Sequence, residues 1–551
     1  MKPVLPLLVL LLVAVFLRSW LLPELPNGLH WDEMDTGYQA YSLFKTGRDY
    51  FANPLPLFLH SFADFRTPVF IYSAIPWVAG FGLTPQAVRL PAVMWGLVAV
   101  ASLYLLTYFL FRSRAGAVFS SFALSVSLWH LIYSRKSVET GSLMALVLIS
   151  TTLFIRGLRR PGYLVLSGLF FALSTLAYSP GKLFIPLLVS SLVLLFRSQL
   201  HALPKKYLVT AGLTLAVVAL PGYSDAVFGS SGLRLSHLAV WTDPTTADEV
   251  DRLRLQFALS TGRPREVGLT TQTLEKILYN KPALWLARIL ENYYSTFSTQ
   301  FLFTRGDPEP RHSPGKNAIG MLHLAEVVPL GLGLIYLATR FRHPAAKLLL
   351  VWLALSPLPS ALTRDGGTHA ARLLLLLPAL LMVISLGLRL LLHKSKILFA
   401  FLCALYFVSI FSDLAYFFSL YRHESAAPYQ WGFPQMISRA VVESPRYDRV
   451  FVDFKDDSPL MAYLFTTRLD PAQFQALHPL TDVQVNPQFT AKVFGNIYLL
   501  NIGTRHWTDI SLPANTLVIS HASQPLMDQI QPTIDTLDYP DNQPAFSIFV
   551  K

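Results

Sequence analysis

The segment Leu29-His30-Trp31-Asp32-Glu33-Met34-Asp35-Thr36-Gly37-Tyr38 packs three carboxylates into four positions. Paired carboxylates suit general-base chemistry, in which one takes a proton while its neighbour positions a group or a cation. The same residues would also stabilise the start of a helix, where the dipole favours negative charge. Glu139, in His130-Leu-Ile-Tyr-Ser-Arg135-Lys-Ser-Val-Glu139, lies where an apolar run begins. It could be a first-turn residue, yet a carboxylate flanked by membrane-type sequence marks a functional site by default. A basic group, Thr363-Arg-Asp-Gly-Gly-Thr-His369-Ala-Ala-Arg372, precedes another apolar run. Arg and His there match an anionic headgroup, and Arg can hold phosphate oxygens bidentately; snorkelling to bulk lipid phosphate is the plainer alternative. Lys182 in Tyr178-Ser-Pro-Gly-Lys and Arg66 in Phe65-Arg-Thr-Pro are of the same kind. The aromatic stretch from Glu291 to Phe303 leads into Arg305, Asp307, Arg311 and His312, a Pro-broken charged turn. Such a stretch suits a loop packed on a membrane and reaching over a site, or an ordinary interfacial loop.

The elements that would position these residues are membrane helices. The chain has 551 residues, 53% hydrophobic and only 14% charged, against about 25% charged in soluble domains. Runs such as Val4–Leu17, Ala92–Phe111 and Leu373–Leu392 lack acidic residues and approach the roughly 20 residues needed to cross a bilayer. Spans are predicted near 3–22, 90–111, 115–133, 138–157, 162–179, 181–197, 206–222, 319–339, 345–362, 371–392 and 396–420. The first of these is read as a retained helix and not a cleaved signal, since no small-residue cleavage site follows it. The net charge of +12 sits in short tethers between these runs and not in a patch interleaved with aromatics, which argues against nucleic acid. With eleven spans, Arg112/Arg114, Arg156/Arg159/Arg160, Arg197/Lys205/Lys206, Arg340/Arg342/Lys347 and Arg389/Lys394/Lys396 share one side, as the positive-inside rule requires. Counting Val69–Leu83 as a twelfth would break that pattern, so this Pro-flanked run is expected to lie in the outer interface.

Two outer inserts, 23–89 and 223–318, and the segment 421–551 then fall outside the cytoplasm. The chain therefore reads as a transmembrane part, 1–420, followed by an extracytoplasmic tail, 421–551, rich in Asn, Gln and charge. β-type runs at Val450–Phe454, Asn496–Ile502, Thr516–Ser520 and Phe546–Val550 make that tail a small soluble α/β domain. The single cysteine, Cys403, lies inside an apolar run and excludes an intrachain disulfide.

On these motifs the chain resembles the GT-C superfamily of membrane glycosyltransferases. Within it, the nearest likeness is to family 39 protein O-mannosyltransferases and aminoarabinose–lipid A transferases. Asp32-Glu33 matches their Asp-Glu pair in the first outer loop, Arg66 beside Pro68 their basic residue at an interfacial helix, and Glu139 their acidic residue opening the fourth span. His369 and Arg372 match their carrier-lipid phosphate element, and Phe301-Leu-Phe with Gly306-Asp307 and Arg311-His312 is similar to bacterial members. The resemblance covers roughly 5–420; Asp35 departs from relatives with a basic or small residue there, and no MIR-type insert stands in 223–318.

The resemblance implies an α-helical polytopic GT-C protein of the plasma membrane with about eleven spans. It implies inverting transfer of a sugar from a polyprenyl-phosphate carrier to an extracytoplasmic acceptor, whether lipid, glycan or protein, by a hexosyl or pentosyl transferase. Asp32 would be the general base, with Glu33 and Glu139 orienting acceptor or base. Arg66, Lys182, His369 and Arg372 would hold the donor phosphate. Asp35, Arg135, Asp307, Arg311 and His312 would supply loop contacts. No cofactor is required; a divalent cation on Asp32 and Glu139 is allowed but not demanded. The competing classes are a transporter, which should carry paired broken helices with midplane sites, a lipid-linked-sugar flippase or scaffold, which needs no paired carboxylates, and an oligosaccharyltransferase, whose WWD-type motif is not seen in the tail.

Overall fold

The computed structural model describes residues 4–61, 64–229, 237–260, 276–315, 318–454, 459–477, 480, 482–486, 489–502, 507, 512–522 and 535–551. Parts of the expected outer insert 223–318 therefore lie outside the described residues. Helices stand at every expected span. Six described helices are long and apolar enough to cross a membrane on their own: Pro85–Phe111, Thr140–Gly157, Lys205–Phe228, Pro344–Ala361, Leu376–Lys394 and Lys396–Glu424. The remaining expected spans appear as shorter apolar helices, Leu5–Ser19, Arg114–Val126, Gly162–Thr175, Gly181–Leu195 and Leu324–Thr339. The chain is a multi-pass membrane protein.

Three expected boundaries shift for local reasons. The span at 115–133 is two helices, Arg114–Val126 and Leu128–Tyr133, separated at Ser127, whose ψ of 121° leaves the helical region. The helix Pro344–Leu355 gives way near Pro357, which lacks the N–H that would continue it. The span at 371–392 becomes helical only from Leu376, so His369 and Arg372 sit on turns ahead of it.

The chain divides into two compact units. The larger, formed by Met1–Ala14, Val98–His130 and Thr140–Ile410, is a helical bundle. Small residues let its helices approach closely, as in membrane bundles generally. A Cβ on Gly387 would meet the Pro329 carbonyl oxygen at 1.9 Å, and one on Gly333 would meet that of Val383 at 2.1 Å. The helices Val327–Thr339 and Leu376–Lys394 therefore pack nearly backbone to backbone.

The second unit, Val15–Leu97, Leu131–Glu139 and Phe411–Lys551, contains the expected tail together with the first insert. Among the described residues its larger sheet has seven strands, in the order Val483–Asn486, Phe489–Phe494, Ile497–Leu500, Arg449–Asp453, Thr516–His521, Pro544–Val550 and Asp535–Asp538. Arg449–Asp453 pairs in parallel with both neighbours, while the flanking pairs are antiparallel. All four expected strand segments are present, and further strands stand at 483–486, 489–494 and 535–538.

Side chains alternate across the sheet. Val450 and Val452 enter one core with Ile497, Leu517, Phe546 and Ile548, while Phe451, Val518 and Phe549 enter another around the fully buried Trp507. The first core also takes in Met34, Tyr38, Ala74, Val78 and Val88 from the first insert. The sheet of the tail and the helices Trp31–Thr46 and Pro68–Phe81 thus bury one another.

Candidate active site

The acidic motif forms the first turns of the helix Trp31–Thr46, capped reciprocally by His30 and Glu33. Gly28 starts the approach with φ +102°, and a Cβ there would lie 2.5 Å from the Tyr429 carbonyl oxygen. Trp31 N–H donates to Gln430 Oε1 at 2.7 Å, and Tyr38 Oη donates to the Leu469 carbonyl at 2.9 Å. The motif is therefore bolted to the 420–470 segment, far away in sequence.

Its three carboxylates have three different environments. Glu33 is buried and receives Arg89 Nε and Nη2, each at 3.1 Å, and the Ser137 N–H at 2.9 Å. Arg89 itself is fully buried and donates to the Leu22, Pro26 and Gly28 carbonyls at 3.0, 2.9 and 2.6 Å. Asp35, also fully buried, accepts from Tyr50 Oη at 2.8 Å and from Arg66 Nη1 at 2.9 Å. Burial raises its pKa against the opposing pull of Arg66. Asp32 is the open one, its side chain 46% exposed with Oδ2 3.2 Å from His30 Nδ1.

Arg66 ties this cluster to Glu139. Its Nε and Nη2 donate to Glu139 Oε1 at 2.8 and 2.6 Å, and its Nη1 also donates to the Asp32 carbonyl at 2.8 Å. Burial alone would lower its pKa, but Glu139, Asp35 and Asp32 outweigh that and hold the guanidinium firmly charged. A planar fork spanning two carboxylates fixes their separation in a way a lysine could not. The helix Pro68–Phe81, opened by Pro68, starts beside Arg66 and presents it. Asp32, Asp35 and Glu139, separated by over a hundred residues, thus form one constellation.

Arg135 is not a loop contact. It is fully buried and donates to the Leu17, Trp20 and Leu25 carbonyls at 2.7, 2.7 and 3.0 Å, closing the end of the first helix. Arg89, which sequence reasoning missed, is the chief structural partner of the motif. Its signal was present: an arginine at the mouth of a long apolar run needs a partner when buried.

In the larger unit, Arg372 donates to Asp365 Oδ1 at 2.8 Å and Thr363 Oγ1 at 2.7 Å, with its side chain 12% exposed. Arg372 in turn helps hold Asp365 below its usual carboxylate range, against burial. Lys182 Nζ lies 3.9 Å from Asp225 Oδ2. Asp307 pairs with His312 Nδ1 at 3.0 Å, and Arg311 pairs with Glu309 at 2.8 Å. The His312 and His369 rings are 4.4 Å apart. The 281–295 helix also borders a polar cavity of about 370 Å³ lined by Asp243, Arg288, Glu291 and Arg364.

Residues 66–222 match the family described as dolichyl-phosphate-mannose-protein mannosyltransferase. No curated protein sequence matches the chain. Among solved structures, the chain is similar to ArnT from Cupriavidus metallidurans bound to undecaprenyl phosphate, with a TM-score of 0.55 and 12% identity over 98% of this chain and 97% of that one. The apo form of the same ArnT gives a TM-score of 0.51 at 13% identity, over 99% and 97% of the two chains. The matched segment begins at Arg66 and contains Glu139 and Lys182, but not Asp32 or Asp35. These comparisons show that the chain shares the fold of ArnT and that residues 66–222 are similar to the mannosyltransferase family.

Proposed function

We propose that the protein transfers a sugar from a polyprenyl-phosphate carrier to a hydroxyl acceptor on the outer side of the plasma membrane, with inversion at the anomeric carbon. The observation that carries this reading is the carboxylate constellation built around Arg66, with one of its members, Asp32, open to solvent. ArnT, whose fold the chain shares, is a protein solved with undecaprenyl phosphate, which supports a carrier of that chemical class.

In the proposed reaction Asp32 takes the proton of the acceptor hydroxyl as its oxygen attacks the anomeric carbon. The bond from that carbon to the phosphate oxygen breaks, and the polyprenyl phosphate leaves with the electron pair. An anionic phosphate leaves readily, so the catalytic burden is proton removal and stabilisation of charge on the departing oxygens. Glu139, aligned by Arg66, orients the acceptor or the base. Glu33, clamped by Arg89 and Ser137, acts as a positioning residue that sets the helix carrying Asp32. Arg66 was expected to contact phosphate; its bonds to Glu139, Asp35 and the Asp32 carbonyl favour an aligning role instead. Phosphate contact is assigned to Arg372, Lys182 and His369 of the larger unit. A divalent cation on Asp32 and Glu139 is not needed for this scheme, because Arg66 already supplies the compensating charge there. Whether a hexosyl or a pentosyl group moves is set by the donor. The test is incubation of purified protein with a panel of polyprenyl-phosphate sugars and an acceptor extract, measuring free polyprenyl phosphate. Release from one donor, abolished in Asp32→Asn, supports the reading; release from none, with folded protein, refutes it.

A further inference from the structure

The larger unit holds a second cluster that the reaction scheme leaves unused as a group. Asp307, His312 and His369 each present a ligand atom, and these atoms lie within 4.8 Å of one another. Two imidazole nitrogens and a carboxylate oxygen are a ligand set suited to zinc and its neighbours, and unsuited to magnesium or calcium, which prefer oxygen throughout.

The surroundings are organised as those of a metal centre are. Asp307 is held by the Glu309 N–H at 2.9 Å and the Ala370 N–H at 2.8 Å, which fix both of its oxygens. The Ala370 turn is itself pinned by Trp129, whose Nε1 donates to the Ala370 carbonyl at 3.0 Å. Outer bonds of this kind orient ligands and are costly to lose. His369 Nδ1 is buried with no hydrogen-bond partner. The observed Asp307–His312 separation of 3.0 Å is close to the roughly 3.4 Å edge set by metal–ligand bonds of about 2.1 Å.

We propose that Asp307, His312 and His369 bind one zinc-class divalent metal ion, leaving a fourth position open. The site joins the 305–313 turn to the 363–372 turn. On the transferase reading, that open position would take a donor phosphate oxygen, and His369 would meet the phosphate through the metal. The metal site itself does not depend on that reading.

The experiment uses the purified full chain in detergent, titrated with Co²⁺ alone and then competed with Zn²⁺. One Co²⁺ per chain with the intense visible bands of tetrahedral cobalt, displaced by Zn²⁺, is expected. Asp307→Asn and His312→Gln should each weaken binding by more than the roughly 10–100-fold cost of an outer-shell loss, while Asp32→Asn should leave it unchanged. Should these variants fail to fold, His369→Cys keeps a ligand and should add a sulfur-to-cobalt charge-transfer band. No saturable binding by folded wild type, equal binding in the ligand variants, loss of binding in Asp32→Asn, or a folded His369→Cys lacking the new band would each overturn the proposal.

Discussion

Replacing Glu33 by Gln preserves its shape and removes one charge from a pair in which both side chains are at most 2% exposed. The charge-assisted bond from Arg89 Nη2 to Oε2 is lost as the amide turns a donor toward the guanidinium, while the bond from Nε to Oε1 keeps only a neutral acceptor. At about 1.5–3 kcal/mol for a charge-assisted bond and about 1 kcal/mol for a neutral one, the gross loss is roughly 2–5 kcal/mol. The Ser137 N–H retains an acceptor in the Gln carbonyl, and the carbonyls of Leu22, Pro26 and Gly28 still receive Arg89. The net effect should lie near the 3–5 kcal/mol typical of a broken buried pair. For a unit of this size that lowers the melting temperature on the order of 10 °C, read by intrinsic fluorescence in detergent. The double variant Glu33→Met with Arg89→Met should recover most of the loss, since a buried pair can be replaced by apolar side chains at little cost. Melting within a degree or two of wild type in Glu33→Gln would refute the clamp. So would a large fall in turnover with unchanged melting, which would make Glu33 a participant in the chemistry.

Asp32→Asn should behave oppositely, with turnover down roughly 10²–10⁴-fold and melting little changed, because its side chain is half-exposed; near-normal turnover would move the base to Glu139. Arg372→Ala should weaken donor binding by about 1.5–3 kcal/mol, with lysine restoring only part; equal affinities in all three proteins would leave snorkelling as the role of Arg372. Cysteines placed at Gly82 and Arg114 should react with an impermeant reagent from opposite faces of the membrane, and same-side labelling would make Pro68–Phe81 a spanning helix.

The sequence by itself determined the solvent of this protein and much of its element list. Apolar runs of bilayer length are specified locally, as are the short β-type runs that marked Val450–Phe454 and Thr516–Ser520 as strands. Asp32, Glu33 and Glu139 stood out because carboxylates at the edge of apolar runs are costly unless used. What the sequence left open was pairing. Nothing local says that Glu33 faces Arg89 and Ser137, that Arg66 bridges Asp35 and Glu139, or that Arg135 closes the first helix onto three carbonyls. These contacts join residues between 31 and 118 positions apart, and a charge's partner is chosen by which elements pack, not by its neighbours in the chain. The tail shows the same division. Its strands were legible, but its core is completed by Met34, Tyr38, Ala74 and Val78 from the first insert. A sheet face must be covered by some apolar surface, and only the tertiary structure decides which segment supplies it.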